Sequence, residues 1–435
     1  MRWFLIALLF FLGSDIARAN GLRSQLLYGK AYVSLNEWAR GEKLDFVWKG
    51  RQSPALLTNR WTKLQFTADS PIASINGVQV WLFYPVVAKG TSLFVSEKDI
   101  EKTLEPILNP VKAKAGQQIR TIGISAGHGG RDPGYVGGNT TEKEQTLLLA
   151  KELRTVLQNA GLNVFMTRSD DRYFPPEEKA EMAGRAKVDL FINLHFNQAS
   201  PLIKGVETYA LPPAGIPSTA GEHSSKVDPG NAYDHRNALL AYQIHKAVVD
   251  RFDVVDRGVR RARFIVLREA KMPAVLLEAG FLSNREEAAR IRDPKHRKEL
   301  ALAIHDGIMA YKKLVERGAA PEKLPLPPAG EAAPSPKPKT DVKPPTKSEI
   351  KPETKPETKP DSKPQTKAEP TDKKDGEEEP AKVEKDEPSV QPELKVEPVS
   401  KPPAETNAPP TVLQSRVPAK SATPQKPSSG ATKKK

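Results

Sequence analysis

The stretch "TIGISAGHGGRDPG" occupies Thr121–Gly134. It opens as a short apolar strand and ends in a turn in which Gly127, Gly129, Gly130 and Gly134 surround His128. A turn this dense in glycine means that the backbone adopts unusual φ/ψ angles, or that something comes close to it. A phosphate, a metal or a substrate would each fit. Phosphate loops take the forms G-x-G-x-x-G or G-x-x-x-x-G-K-[ST], and "GHGGRDPG" is neither.

Outward from this turn, strand and helix patterns alternate. "EKEQTLLLAKELRTVLQNAG" (142–161) reads as a helix stopped by Gly161, and "LNVFMTRS" (162–169) as a strand. "PPEEKAEMAGRAK" (175–187) is a helix with proline near its start. "VDLFINLHFN" (188–197), "VETYAL" (206–211), "RFIVLRE" (263–269) and "AVLLEAGF" (274–281) read as strands. "NALLAYQIHKAVVDRF" (237–252) and "HRKELALAIHDGIMAYKKLVE" (296–316) read as helices. This alternation predicts an α/β domain over 118–318, with a mostly parallel or mixed sheet and helices on both faces. Sites in such sheets gather at the carboxyl ends of the strands.

Upstream, 20–115 reads as a small α+β domain. "AYVSLNEWAR" (31–40) passes from strand to helix, and Asn76-Gly77 before "VQVWLFY" signals a type I′ hairpin. "WTKLQFTA" (61–68) reads as a strand, and "SLFVSEKDIEKTL" (92–104) as strand and helix. No histidine lies in this region. In pattern it resembles the modules named after the N-terminal domain of copper amine oxidases, which recur in exported wall proteins.

The ends of the chain read differently. Arg2, "WFLIALLFFLG" (3–13) and "ARA" (17–19) form a secretory signal over 1–19 with cleavage before Asn20, too short for a mature membrane span; an uncleaved anchor is the alternative. From 319 to 435 the chain is rich in Pro, Lys and Glu and lacks aromatic residues, with a Lys-Pro-polar-polar unit repeated in "KPETKPETKPDSKPQTK" (351–367). Such a tail buries too little apolar surface to offset its ordering entropy and reads as disordered and partly polyproline-like. The 435 residues include no cysteine, so disulfides are excluded, and stability must come from the core or a metal. The net charge of +14 would suggest nucleic acid in a cytoplasmic protein. In an exported one, destined for the periplasm or cell wall, it suggests anionic wall polymers or lipid head groups and no nucleic acid.

Four polar residues fall where strands or their connections end: His128, Glu142, His195 and Glu278. Singly, His128 reads as a loop histidine, Glu142 as a helix N-terminal acid, and His195 as a satisfied core histidine. Glu278, at the end of a buried strand, needs a partner or a task. Two imidazoles and a carboxylate at one sheet edge match catalytic zinc, with three protein ligands and one open position. A further carboxylate there suits a general base. The glycines would then form a low rim around the ion for a bulky substrate.

In order and spacing, "GHGGRDPG", "EKEQTLLLAKEL", "LFINLHFN", "GVETYAL" and "RGVRRARFIVLREAKMPAVLLEAGFLSN" resemble the zinc-dependent N-acetylmuramoyl-L-alanine amidases across 118–318. The resemblance implies Zn2+ held by His128, Glu142 and His195, with Glu278 as catalytic acid/base. It also implies an α/β fold and cleavage of the amide between N-acetylmuramic acid and L-alanine in peptidoglycan, for wall remodelling or daughter-cell separation. Gly184 stands where these enzymes often carry asparagine. The Pro/Gly-rich "PPAGIPSTAGEHSSKVDPGNAYDHR" (212–236) is unsuited to the inhibitory helix of some relatives. Its His223 and His235 read as rim or substrate contacts, or as residues with no part in the site, rather than as zinc ligands, and Arg260, Arg261 and Arg268 as surface charge or stem-peptide contacts. Another zinc peptidase acting on wall peptides, or a non-catalytic wall-binding protein, are the alternative readings, and no activator protein is named by the sequence.

The tail reading has a direct test. A polyproline-like chain spans about 3.1 Å per residue and acts as a spacer. Truncation after Gly318 should leave thermal stability and turnover of soluble wall fragments unchanged. It should weaken retention on intact sacculi at low salt only, because salt screens the tail's lysines beyond about 8 Å. Reduced turnover of a small soluble fragment would contradict the spacer role.

Overall fold

The computed structural model describes residues 16–17, 22–110 and 118–317. The tail over 319–435, and the signal over 1–19 apart from Ile16 and Ala17, lie outside the described residues. The first region contains β1 (Ile16–Ala17), β2 (Arg23–Leu27), β3 (Lys30–Ser34), α1 (Leu35–Gly41), β4 (Asp45–Val47), β5 (Ala55–Thr58) and β6 (Lys63–Phe66). There follow β7 (Ile72–Ile75), β8 (Val78–Trp81), β9 (Val87–Lys89) and β10 (Ser92–Ser96). It closes with a helical run of α2 (Glu97–Asp99), a π-helical turn (Ile100–Leu104) and α3 (Glu105–Leu108). The β7–β8 hairpin turns at Asn76 and Gly77 with φ of 48° and 87°, the positive angles that a type I′ turn requires.

The second region contains β11 (Thr121–Ala126), the short β12 (Val136–Gly137) and β13 (Thr140–Thr141), α4 (Glu142–Asn159), β14 (Asn163–Met166), α5 (Pro176–Arg185), β15 (Leu190–Asn197) and β16 (Val206–Ala210). After a 3-10 turn (Pro229–Tyr233) come α6 (Asp234–Arg251), β17 (Asp256–Arg261), α7 (Ile265–Arg268), β18 (Ala274–Phe281), α8 (Arg285–Arg292) and α9 (Pro294–Arg317). "RFIVLRE" is therefore not a strand. Its middle forms the short α7, and the strand lies earlier, in the arginine-rich Asp256–Arg261. Charge hid that strand from a hydropathy reading, because Arg257, Arg260 and Arg261 are each engaged by a carboxylate, a carbonyl or an aromatic ring.

The sheet is mixed and runs in the order β14-β11-β15-β18-β16-β17-β8-β7-β6-β5-β4. β14, β11, β15 and β18 are mutually parallel, whereas β16 is antiparallel to β18. Alternation along the strands divides the core into two layers. Leu190, Ile192, Leu194, Val275 and Leu277 meet α4, α6 and α9 on one face. Phe191, Leu276 and Tyr209 meet α5 and α7 on the other. Helical spacing does the same for α4, whose Leu149, Ala150, Leu153 and Leu157 are fully buried.

The two regions share this sheet. Val80 of β8 pairs with Val259 of β17. The Gln79 backbone amide donates to Asp256 Oδ2 at 2.8 Å, and Trp81 Nε1 donates to the Arg257 carbonyl at 3.0 Å. Buried Arg261 reaches the Lys102 carbonyl at 3.3 Å and lies over the Phe83 ring at 5.5 Å, so it ties the regions together and is not surface charge. Burial leads its causes and lowers its pKa to about 10.

Leu153→Ala should lower stability by about 2–5 kcal/mol through the lost transfer energy and the cavity left behind. The urea midpoint should fall at unchanged slope. A change under about 1 kcal/mol would mean that α4 is not packed as described.

Candidate active site

Residues paired across neighbouring strands project to the same face. The Gly127 amide donates to the Leu194 carbonyl, which extends the β11–β15 pairing by one residue. His195 is paired with Glu278, and Glu278 with Glu207. Gly127, His195, Glu278 and Glu207 thus form a row across four strands, beyond the layer covered by α5 and α7.

The glycines have a more specific task than a low rim. A Cβ on Gly127 would lie 2.5 Å from His195 Cε1 and 2.6 Å from its Nδ1. One on Gly134, where φ is +61°, would lie 2.6 Å from both Glu142 Oε2 and His128 Cδ2. These two positions are bare because the candidate ligands themselves pass over them.

His128 sits two residues past β11 in the left-handed region, with φ of 57°. Such a conformation is costly for a residue other than glycine and persists only when its surroundings hold it. Here two buried cations do so. Lys179 Nζ donates to the Ala126 and His128 carbonyls, at 3.2 Å each. Arg168 donates from Nε to the Ala126 carbonyl and from a guanidinium nitrogen to the Gly127 carbonyl at 2.8 Å. Burial, then the nearby Arg168 charge, lowers the Lys179 pKa to about 8.

The turn aims His128 back at Glu142, the first residue of α4. His128 Nε2 lies 3.0 Å from Glu142 Oε2, and His195 Nδ1 lies 2.9 Å from Glu142 Oε1. One ligand atom from each of the three residues can be chosen so that all lie within 4.8 Å of one another. On the far side of the ring, His128 Nδ1 meets Asp132 Oδ2 at 2.8 Å. A carboxylate in that place fixes ring orientation and leaves Nε2 facing inward, as is usual for metal-ligating histidines. Glu142 is oriented in turn by the amides of Tyr135 and Phe196, each 3.2 Å from one of its oxygens.

The electrostatics favour a cation in this cluster. Burial opposes charge on His128, but the hydrogen bonds to Asp132 and Glu142 outweigh it and raise the pKa to about 9. Burial also opposes charge on Glu142, and both histidines override it to hold the carboxyl well below the usual range. His195 shifts down because of burial. A proton drawn onto His128 serves the buried carboxylate as a metal ion would. Two imidazoles and one carboxylate are a donor set that suits zinc and leaves a position open.

Glu278 stands beside the cluster and outside it. The residue is half-buried, and its Oε2 is shielded from solvent with no hydrogen-bond partner. Burial first, then the charges of Glu142 and Glu207, push its pKa well above the usual carboxylate value. A carboxyl whose hold on its proton is strengthened in this way is suited to general acid–base work.

Residues 122–310 match the family described as N-acetylmuramoyl-L-alanine amidase. The chain is 32% identical over 213 residues to the N-acetylmuramoyl-L-alanine amidase LytC of Bacillus subtilis, covering 48% of this chain and 38% of LytC. It is 32% identical over 201 residues to the uncharacterized protein YqiI of the same organism, covering 46% of this chain and 89% of YqiI. It is 28% identical over 249 residues to the N-acetylmuramoyl-L-alanine amidase AmiA of Escherichia coli, covering 51% of this chain and 86% of AmiA. The chain belongs to the N-acetylmuramoyl-L-alanine amidase family. Its α/β region is accordingly an enzyme's catalytic domain, although the chain spans well under half the length of LytC.

Within this amidase domain the structure gathers His128, Glu142, His195 and Glu278 and leaves other candidates elsewhere. Because β16 is antiparallel to β18, the 212–236 stretch leaves the sheet at the edge opposite Glu278. His223 and His235 lie in that stretch and are not rim contacts. Its loop is held by buried Arg263, which donates to the Pro213, Ile216 and Ser224 carbonyls. Arg268, past the end of β17, lies toward the same far edge. Arg260 stays on β17, 3.3 Å from Glu207. Sequence reasoning missed Asp132, Arg168, Lys179 and Glu207. Only Asp132 carried a signal, its place four residues after His128 within the turn.

Gly127→Ala should strip bound metal at concentrations where the parent chain is saturated, because His195 would be displaced. Measurement is by metal content after gel filtration. Full occupancy would show that the imidazole does not need the bare backbone beneath it.

Proposed function

We propose that the chain is a zinc-dependent N-acetylmuramoyl-L-alanine amidase of the cell wall. In this reading it hydrolyses the amide between the lactyl group of N-acetylmuramic acid and the L-alanine of the stem peptide. The observation that carries the reading is the cluster of His128, Glu142 and His195, with the unpartnered Glu278 Oε2 on the neighbouring strand. His128, Glu142 and His195 would hold the ion. Zinc bound there supplies Lewis acidity toward the amide carbonyl and lowers the pKa of a coordinated water from about 15.7 to about 7.

The rest of the chemistry belongs to the chain. Glu278 takes the proton of the attacking water on its free carboxyl oxygen and returns it to the leaving alanine nitrogen. Asp132 keeps the His128 ring turned, and Arg168 and Lys179 keep the loop that carries it from relaxing. The apolar layers on both faces of the sheet hold the row of strand ends fixed while a bulky substrate enters from the open edge. Among the described residues no helix is long and apolar enough to cross a membrane. A peptidoglycan substrate would put the site of action outside the inner membrane, in the periplasm or cell wall.

The test is digestion of purified peptidoglycan by the full chain, with and without chelator, with products identified by mass. Free stem peptides beside intact glycan are expected, and only without chelator. Shortened stem peptides would mean an exopeptidase instead. Glu278→Gln should keep zinc and fold while losing about 10²- to 10⁴-fold in turnover, whereas His195→Ala should lose both zinc and activity. Near-normal turnover by Glu278→Gln would remove that residue from the chemistry.

A further inference from the structure

Beside Glu278, on the side away from the metal cluster, a second glutamate is buried. Glu207 is paired with Glu278 across β16 and β18 and is only 2% exposed. Carboxylates directly opposite on neighbouring strands repel one another, so the arrangement needs a counterweight. Four donors supply it. Arg257 Nε lies 2.6 Å and an Arg260 guanidinium nitrogen 3.3 Å from Glu207 Oε1. The Tyr209 hydroxyl donates to Oε2 at 2.6 Å, and the Asn197 amide donates at 3.1 Å.

With its oxygens occupied and out of solvent, Glu207 has nothing to offer a substrate. Glu278 has the opposite problem. No hydrogen bond orients its Oε2, so the neighbouring charges bear on where the carboxyl points. Glu207 repels it from one side; on the other, Glu142 also repels it and His128 attracts it, and an ion held by His128, Glu142 and His195 would turn that side attractive.

The arginines are themselves held from outside the amidase domain. Arg260 stacks over the Trp81 ring at 4.6 Å, and Trp81 Nε1 bonds the carbonyl of Arg257. Gly258 between them has φ of +91°, and a Cβ there would lie 3.0 Å from the Trp81 ring. Trp81 belongs to β8, in the N-terminal region.

We infer that Glu207 is a positioning residue that steers Glu278 toward the metal cluster, and that Trp81 of the N-terminal region holds the arginine pair that keeps Glu207 in place. The inference rests on the proposed role of Glu278. It makes the N-terminal region part of the support of the active site rather than a passive appendage.

The test uses the full chain carrying Glu207→Gln, Trp81→Ala or Trp81→Phe, with zinc content and thermal midpoint measured for each. Glu207→Gln should keep zinc and KM while kcat on a soluble muropeptide falls about 10- to 100-fold. In the crystal structure of that variant the Glu278 carboxyl should turn toward the uncharged amide at position 207. Trp81→Ala should lower kcat in the same direction, and Trp81→Phe, which keeps the stacking ring, should recover most of the loss. An unmoved Glu278 with unchanged kcat, or a loss confined to KM, overturns the inference. If Glu207→Gln does not fold, the Trp81 pair decides: equal kcat in Trp81→Ala, Trp81→Phe and the parent overturns it. A parent chain that fails to hydrolyse the amide defeats the proposed function instead, and the position of Glu278 in the Glu207→Gln crystal still decides the role of Glu207.

Discussion

His195, Glu278 and Glu207 are paired in line across three neighbouring strands, and a pleated sheet gives them no choice but to face the same way. A shift of one residue in either pairing would send an imidazole or a carboxylate into the apolar layer under α4 and α9. The register is held by Leu190, Ile192, Leu194, Val275 and Leu277 on that opposite face. Packing on one side of the sheet therefore fixes the chemistry on the other, although no apolar residue need touch a substrate.

The same row explains how charge is tolerated at the end of a buried sheet. Glu142 is met by two imidazoles, Glu207 by two guanidinium groups, and Glu278 by neither. A shielded carboxyl oxygen without a partner is expensive, and the pKa of Glu278 moves up accordingly. Beneath the loop, Arg168 and Lys179 bond backbone carbonyls rather than carboxylates, which lets His128 hold its left-handed conformation.

Much of this was legible in the sequence, and the failures have physical causes. Alternating patterns marked β11, α4, β15, β18 and α9, because each buries a regular apolar stripe. The four residues of the candidate site could be named because each falls near the carboxyl end of a strand or starts a helix, in "GHGG", "TEKE", "INLH" and "LLEAG". Strand β17 was missed because its arginines read as surface, and their burial depends on partners distant in sequence, Trp81, Phe83 and Glu207. The continuity of the sheet from β17 to β8 was hidden for the same reason. The glycines of the turn were recognised as an approach site. That Gly127 is approached by the ring of His195, from far along the chain, required the register of β11 on β15.

The central claim is that His128, Glu142 and His195 converge on a single ion while Glu278 stays free of it. Anomalous diffraction from crystals of the zinc-loaded chain, collected on both sides of the zinc absorption edge, tests it most directly. The account predicts one strong peak between His128 Nε2, His195 Nδ1 and the Glu142 carboxylate, with the Glu278 carboxyl outside bonding distance. A peak elsewhere, or one in which Glu278 replaces any of the three as ligand, would contradict it.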